Sequence, residues 1–298
     1  AIDWRLMLEA AEVGRKLSKR DYKAQLPQLR SELLEVQQQL RAAPLPVIVL
    51  LAGVDTAGKG ETANLINEWM DPRWIFTRGY MAPSPDERER PRLWRYWRDL
   101  PPHGRIALFL SAWYSSPIRN RVADRLTPAE FDAALEPIVA FERALADDGA
   151  VIVKFWMHLS KAAQKRRLKA FESDPLQRWR VTKEQWRHWR MFDRFAAAAD
   201  HAIRRTSTDH SPWHIVEGED ERYRSIVVGT ELRDAIRRGL QRAAAAKRTA
   251  GAAAAPARRR RGPIRETIRK ADRTYNVLDN LDLNQRLGDR RFKQELAE

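Results

Sequence analysis

The residues Gly53-Val54-Asp55-Thr56-Ala57-Gly58-Lys59-Gly60-Glu61-Thr62 bring two glycines five positions apart together with a lysine directly after the second. An apolar run, Val47–Ala52, leads into them and a helix-forming segment, Thr62 to Met70, leads away. That is the layout of a phosphate-binding P-loop. Glycines let the backbone curl until successive N–H groups face one phosphate, the next helix adds its positive end, and Lys59 adds a full charge. The three fixed residues by themselves also occur in Gly-rich turns that hold no ligand. It is the strand before and the helix after that favour the phosphate reading. One position departs from the general pattern. Gly60 stands where a P-loop usually carries the Ser or Thr that holds Mg²⁺, so a metal would need another ligand, and Asp55 is the nearest carboxylate. A later apolar run, Ile106–Leu110, ends in Leu110-Ser111-Ala112, where an aspartate able to hold a metal is expected.

These residues need a scaffold, and the chain shows one in its alternation of patterns. β-like runs occur at Val47–Ala52, weakly at Trp74–Thr77, and at Ile106–Leu110, Val151–Met157 and Trp213–Val216. Helical spacing fills 5–42, 60–70, 86–99, 129–147, 160–171, 183–204 and 221–242, with Asp71-Pro72, Asp147-Asp148-Gly149 and Ser211-Pro212 as punctuation. Strands that alternate with helices and are apolar throughout predict an α/β fold with a parallel sheet covered on both faces. A ligand then belongs at the carboxyl ends of the strands, where the glycine loop already lies. Residues 1–45 read as an N-terminal helical arm and 46–242 as the main domain.

Bulk composition narrows the class. Apolar residues make up 43% of 298, with 11 Trp, enough for a real core. No run is long enough to span a bilayer, and the start of the chain lacks a basic-then-apolar signal pattern, so neither membrane insertion nor export is expected. The absence of cysteine excludes disulfides, thiolate catalysis and Cys-based zinc sites and fits a cytoplasmic setting. The net charge of +15 is unevenly spread: Arg237 to Arg273 holds 13 Lys/Arg against Glu266 and Asp272, which leaves about +4 for the rest. With Ala243–Ala246, Ala252–Ala255 and Arg258–Arg261, residues 243–275 read as a flexible low-complexity linker. Non-specific contact with polyanions is the other reading of that stretch, and no specific nucleic-acid partner is expected.

Beyond the linker, residues 276–298 resemble the N-terminal arm at a constant offset of 270. Leu8, Glu12, Val13, Leu17, Arg20, Tyr22, Lys23 and Leu26 pair with Leu278, Asp282, Leu283, Leu287, Arg290, Phe292, Lys293 and Leu296. The segment is read as the opening of a second copy of the domain, so the chain is expected to be part of a tandem protein.

A second basic concentration lies inside the folded part. Lys161 to Arg190 includes Lys165, Arg166, Lys169, Arg178 and Arg180, interleaved with Trp179, Trp186 and Trp189. Phosphoryl-transfer enzymes place a closing lid after such a strand. A solvated amphipathic helix with its aromatic stripe in the core explains the same residues, and the pattern alone does not choose. Trp94 and Trp97 read as packing residues, and the six histidines show no ligand spacing. His158, at a strand end, reads as packed or hydrogen-bonded.

Taken in order, several motifs resemble the second family of polyphosphate kinases, the polyphosphate:nucleotide phosphotransferases, over about residues 10–245. They are Gly53 to Gly60, Ala82-Pro83-Ser84-Pro85-Asp86-Glu87, Trp113-Tyr114, Val153 to Ser160, Asp174-Pro175-Leu176-Gln177-Arg178-Trp179, Arg205-Thr206, Pro212-Trp213 with Val216-Glu217, and Arg222-Tyr223. The resemblance implies a three-layer P-loop kinase-like fold, a parallel sheet flanked by helices, with a basic helical lid at about 160–195. It implies transfer of phosphate between inorganic polyphosphate and nucleotides with Mg²⁺, and the tandem arrangement is similar to the two-domain class that converts AMP to ADP. On that match Gly53, Thr56, Ala57, Gly58, Lys59, Gly60, Glu61 and Thr62 form the phosphate loop. Asp55 and Lys59 carry the chemistry, Asp55 is the metal ligand, and Lys165, Arg166, Lys169, Arg178 and Arg180 meet polyphosphate. Gly60 is what the family itself has.

The chain departs from the family at its second signature. The pattern Asp-Arg-Ser-Trp-Tyr-Asn-Arg, followed four residues on by Glu, is here Leu110-Ser111-Ala112-Trp113-Tyr114-Ser115-Ser116 with Asn120. Removing one such electrostatic group lowers a rate by roughly two to three orders of magnitude. The expectation is therefore the N-terminal half of a two-domain polyphosphate:AMP phosphotransferase, with this half catalytically weak or silent. A non-catalytic polyphosphate- or nucleotide-binding or assembly module and an independently active kinase are the alternatives. Its expected partners are inorganic polyphosphate, AMP or ADP, a second domain of the same chain, and further copies in a homo-oligomer.

Overall fold

The uninterrupted apolar run Val47–Gly53 (β1) takes the centre of a five-stranded, all-parallel sheet. Its neighbours are Ile106–Leu110 (β3) on one side and Val151–His158 (β4) on the other, with Ile75–Gly79 (β2) and Trp213–Glu217 (β5) at the edges, giving the order β2-β3-β1-β4-β5. β1 and β4 are buried on both faces, as continuous apolar strands in a covered sheet should be. After β1 the chain first builds β2 and β3 to one side and later β4 and β5 to the other. The carboxyl end of β1 is thus the switch point where such sheets hold ligands. The fold is the expected three-layer, P-loop kinase-like α/β arrangement.

The computed structural model describes residues 6–253. The chain divides into two compact units, Ala1–Ala250 and Gly251–Glu298, and the second lies almost wholly outside the described residues. The expected second copy at 276–298 and the linker from 254 to 275 also fall outside them. Among the described residues no helix is long and apolar enough to cross a membrane.

Helices cover both faces, and several differ from the pattern read in the sequence. The arm is not one helix. Leu6–Glu9 (α1) and Lys19–Arg41 (α2) are separated by a non-helical strap. There the Glu217 carboxylate accepts the N–H groups of Gly14 (2.7 Å) and Arg15 (3.0 Å), and Gly14 adopts φ +74°. Long-range acceptors have replaced the local helical ones. Ser18 then caps α2 by accepting from Asp21 N–H.

Lys59–Trp69 (α3) follows the glycine loop as expected. The single helix read at 86–99 is two short pieces, Pro85–Arg88 (α4) and Trp94–Arg98 (α5), because Pro91 cannot continue a helix. Ser115–Val122 (α6) has no counterpart in the sequence reading, since its polar residues and Pro117 hide any apolar stripe. Pro128–Asp147 (α7) matches, with a Thr127–Glu130 capping box.

Lys161–Ser173 (α8), a 3₁₀ turn at Arg178–Arg180, and Lys183–Arg190 (α9) form the basic module after β4. Phe192–Thr206 (α10) follows after a break at Met191, where one helix over 183–204 was expected. The last helix, Glu221–Ala253 (α11), continues into residues read as linker. Alanine has the highest helix propensity, so Ala243–Ala246 extends the helix instead of ending it.

Candidate active site

The loop between β1 and α3 is shaped by three positive-φ residues: Gly53 at +133°, Thr56 at +64° and Gly58 at +96°. Gly58 is constrained twice. A Cβ there would stand 2.4 Å from Arg224 Cζ, because that guanidinium, 1% exposed, lies directly behind the loop. Arg224 Nη1 donates to Gly218 O at 2.8 Å and Nη2 to Glu61 at 3.3 Å, while Nε is buried without a partner. Burial pulls its pKa down, and the charge of Arg167 adds to that. Arg224→Met is expected to cost about 2–3 kcal/mol, read as a fall of roughly 4–12 °C in the calorimetric midpoint. Arg224→Lys should restore only part of it, since an ammonium cannot span both acceptors.

In front of the loop is a cavity of about 120 Å³. A water needs roughly 10–15 Å³ by this measure, so the space accepts a phosphoryl group with solvent. Val54, Asp55 and Lys59 line it from the loop and the start of α3, Ser111, Ser115 and Arg119 from the end of β3 and α6, and Gln164, His188 and Phe195 from α8, α9 and α10. Lys59 Nζ donates to Gly53 O (2.7 Å) and Val54 O (2.8 Å), folded against its own loop. Burial lowers its pKa, opposed by the charge of Asp55. Burial alone would raise the Asp55 carboxyl, but the hydrogen bond from His188 and the charges of Lys59, His188 and Arg119 hold it below the usual carboxylate value. His188 Nδ1 meets Asp55 Oδ2 at 2.7 Å, and the Gln164 amide donates to Asp55 O at 3.1 Å.

The β3–α6 side of the cavity descends from the sheet. The β1–β3 register sets Leu110 beside Leu51, and Leu110 packs on the core. Ser111, at φ +54°, then turns into the cavity. Tyr114 also lines the cavity and is held by a buried network. The Glu142 carboxylate on α7 accepts from Tyr114 OH (2.7 Å), Trp113 Nε1 (2.9 Å), Ser211 Oγ (2.9 Å) and Lys154 Nζ (2.7 Å). Lys154 Nζ also donates to Thr206 O at 2.7 Å. Burial lowers the Lys154 pKa and raises that of Tyr114.

The sequence-derived site residues divide. Gly53, Asp55 and Lys59 line the cavity. Thr56 and Thr62 keep buried hydroxyls without a partner, Ala57 is fully buried, and Gly60 opens α3 toward free space. The Glu61 side chain is turned away from the role of a phosphate contact. Its carboxylate is held by Arg167 (2.7 Å), Arg180 (3.0 Å) and Arg224 (3.3 Å), and an anion so placed adds nothing to an anion site beyond its backbone N–H.

The lid cations do not enter the cavity either. Arg166 pairs with Glu219 at 2.7 Å, Arg180 stacks on Phe171, and Lys165 sits 4.9 Å over the Trp189 ring. Lys169 and Arg178 are exposed. The aromatic stripe is not core, for Trp179 is 76% exposed. His158 is buried and bonded to Glu12 at 2.7 Å. In the Trp94–Trp97 segment Tyr96 is the buried ring, while Trp97 edges onto Phe141 half in solvent.

Arg119 and His188 are the residues the sequence reading missed. Counting along the second signature directs attention to Ser116 and Asn120 and passes over Arg119. One histidine among the Trp and Arg residues of α9 carries no local signal at all.

A metal site was expected at Asp55. Asp55 is the single carboxylate lining the cavity, and one of its oxygens is already bonded to His188. Mg²⁺ prefers near-octahedral oxygen ligation with one or two carboxylates. Among the described residues no group of three or more His, Asp or Glu side chains is arranged to hold a metal. The donor set does not fit an Mg²⁺ held by protein ligands alone; a single carboxylate would leave most of the shell to phosphate oxygens and water.

The profile of the polyphosphate kinase 2 family matches residues 16–243. A polyphosphate:AMP phosphotransferase of Pseudomonas aeruginosa is 42% identical over 98% of this chain and 56% of that protein. A solved polyphosphate kinase 2 structure from the same organism superposes with a TM-score of 0.70 at 39% identity, over 98% of this chain and 53% of the other. The corresponding Arthrobacter aurescens structure gives 0.71 at 30% identity, over 75% and 81%. The chain thus spans about half the length of its Pseudomonas relatives.

Proposed function

Because the chain belongs to the polyphosphate kinase 2 family, we propose that it is a phosphate-binding domain of a polyphosphate:AMP phosphotransferase in which transfer itself is weak or silent. The observation that carries this is the β3–α6 side of the cavity. Where the family pattern has Asp-Arg, this chain packs Leu110 on the core and lines the cavity with Ser111. Phosphoryl transfer is catalysed almost entirely by positioning and by charge at the transferring group. A leucine and a serine supply neither a carboxylate for a metal nor a cation. The glycine loop, Lys59 and the N-terminus of α3 still suit a phosphate.

Inorganic polyphosphate and AMP or ADP are the proposed ligands. A second domain of the same protein, with the intact signature, is the proposed seat of turnover. Mg²⁺ belongs to that intact site on this reading, and homo-oligomerisation is part of the same proposal.

The test is ADP formation from AMP and polyphosphate by the purified 298-residue chain in excess Mg²⁺. Kinases work at about 1–100 s⁻¹. The expected rate lies at least two to three orders of magnitude lower, as loss of one such group alone predicts. Turnover on the kinase scale overturns the proposal.

A further inference from the structure

An ionised carboxylate beside a phosphate chain repels it unless a cation lies between them. Asp55 is such a carboxylate, lining the cavity, and a metal ion would be the usual mediator. Here the mediator is a side chain. His188, carried in by α9, bonds Asp55 Oδ2 at 2.7 Å, and its ring packs edge-on against Phe195 at 5.2 Å. The bond holds the carboxylate toward α9 and occupies one of the two oxygens it could offer a divalent cation.

The charge missing from positions 111 and 116 returns nearby. Ser115 and Arg119 are one turn apart on α6, so both face the cavity. Arg119 is exposed and makes no salt bridge among the described residues, although its charge reaches Asp55. Many other arginines in the structure are engaged: Arg167, Arg180 and Arg224 on Glu61, Arg166 on Glu219, Arg233 on Glu32. A cation left open in the lining of a cavity that Lys59 also lines is placed to receive an anion. With Asp55 counted as −1, Lys59 and Arg119 leave the cavity net positive before His188 or the α3 N-terminus is considered.

We infer that this cavity takes the end of a phosphate chain without a metal ion. Arg119 and Lys59 supply the counter-charge, and His188 holds Asp55 in the place a metal would otherwise take. The inference rests on the reading of the cavity as a phosphate site.

The experiment is titration calorimetry of the 298-residue protein with sodium tripolyphosphate, once in EDTA and once in excess Mg²⁺. It is run on the wild type and on Arg119→Ala, Arg119→Lys and His188→Ala, each checked for an unchanged unfolding midpoint. Saturable binding in EDTA is expected. Arg119→Ala should weaken it about tenfold, the size of one lost charge-assisted contact, and Arg119→Lys should keep most of it. His188→Ala should bind more weakly in EDTA and recover on addition of Mg²⁺, because Asp55 is then free to hold the ion.

Binding that requires Mg²⁺ in the wild type overturns the inference and leaves the phosphate-site reading standing. So does binding in EDTA that is indifferent to Arg119→Ala, or a His188→Ala variant that behaves as wild type. Absence of binding under both conditions removes the phosphate-site reading and the inference together.

Discussion

Glu142→Ala is expected to destabilise the folded domain by about 3–5 kcal/mol, the cost of stripping one partner from a buried ion pair. Glu142 is 1% exposed and Lys154 0%, so neither reaches water. The carboxylate gathers four donors: Lys154, Tyr114, Trp113 and Ser211. Without it the Lys154 ammonium loses its counter-charge in the centre of β4, and three further donors lose their acceptor. At roughly 2–4 °C per kcal/mol for a domain of this size, the unfolding midpoint should drop by about 6–20 °C in a calorimetric scan.

Replacing both members, Glu142→Leu with Lys154→Met, should recover part of that, since it removes the uncompensated charge. Recovery will be incomplete because Trp113 Nε1 and Tyr114 OH still lose this acceptor. A double variant no more stable than Glu142→Ala would show that the ion pair is not the source of the loss. The consequence reaches the site, for Tyr114 lines the cavity and takes its position from this network.

Gly53→Ala is the second large effect, and it acts through the backbone. Gly53 pairs with Met157 across the β1–β4 ladder and has φ +133°, a conformation L side chains rarely adopt. A Cβ there would lie 2.1 Å from Met157 O and 2.7 Å from Met157 N. No side chain can rotate away from such a contact, so the two central strands must part where the phosphate loop begins. A cost above about 3 kcal/mol is expected, from strained φ together with overpacking.

Gly60→Ala is the control within the same motif. Nothing lies within 4 Å of a Cβ at Gly60, in the first turn of α3. Alanine there should change stability by less than about 1 kcal/mol, in the stabilising direction, because it stiffens the unfolded chain and favours helix. Equal midpoints for the two variants, measured by circular dichroism, would contradict this account of why position 53 is glycine.

Much of the scaffold was legible in the chain because its signals are local. The apolar runs at Val47, Ile106 and Val151 each need only a few neighbouring residues to be read. The misreadings arose where distant partners overrode the local pattern. The strap after α1 is non-helical because Glu217 accepts the Gly14 and Arg15 N–H groups. The break at Met191 lets α10 start anew against α6 and α7, which an unbroken helix from Lys183 could not do. Glu61 is read from the chain as part of the phosphate loop, and only the fold brings in the three arginines that hold its side chain.

The sequence by itself determined the glycine loop, the parallel α/β class, the family and the loss of the Asp-Arg pair at Leu110-Ser111. These follow from residue type and short spacing, which survive without coordinates. Only the tertiary structure decided what the cavity is made of. Asp55 and His188 are 133 positions apart and meet because the order β2-β3-β1-β4-β5 brings α9 over the end of β1. Arg119 joins them because α6, invisible in the hydrophobic pattern, starts where β3 delivers the chain to the same edge. Which charges face a phosphate depends on strand order and helix rotation, and no local run of residues encodes either.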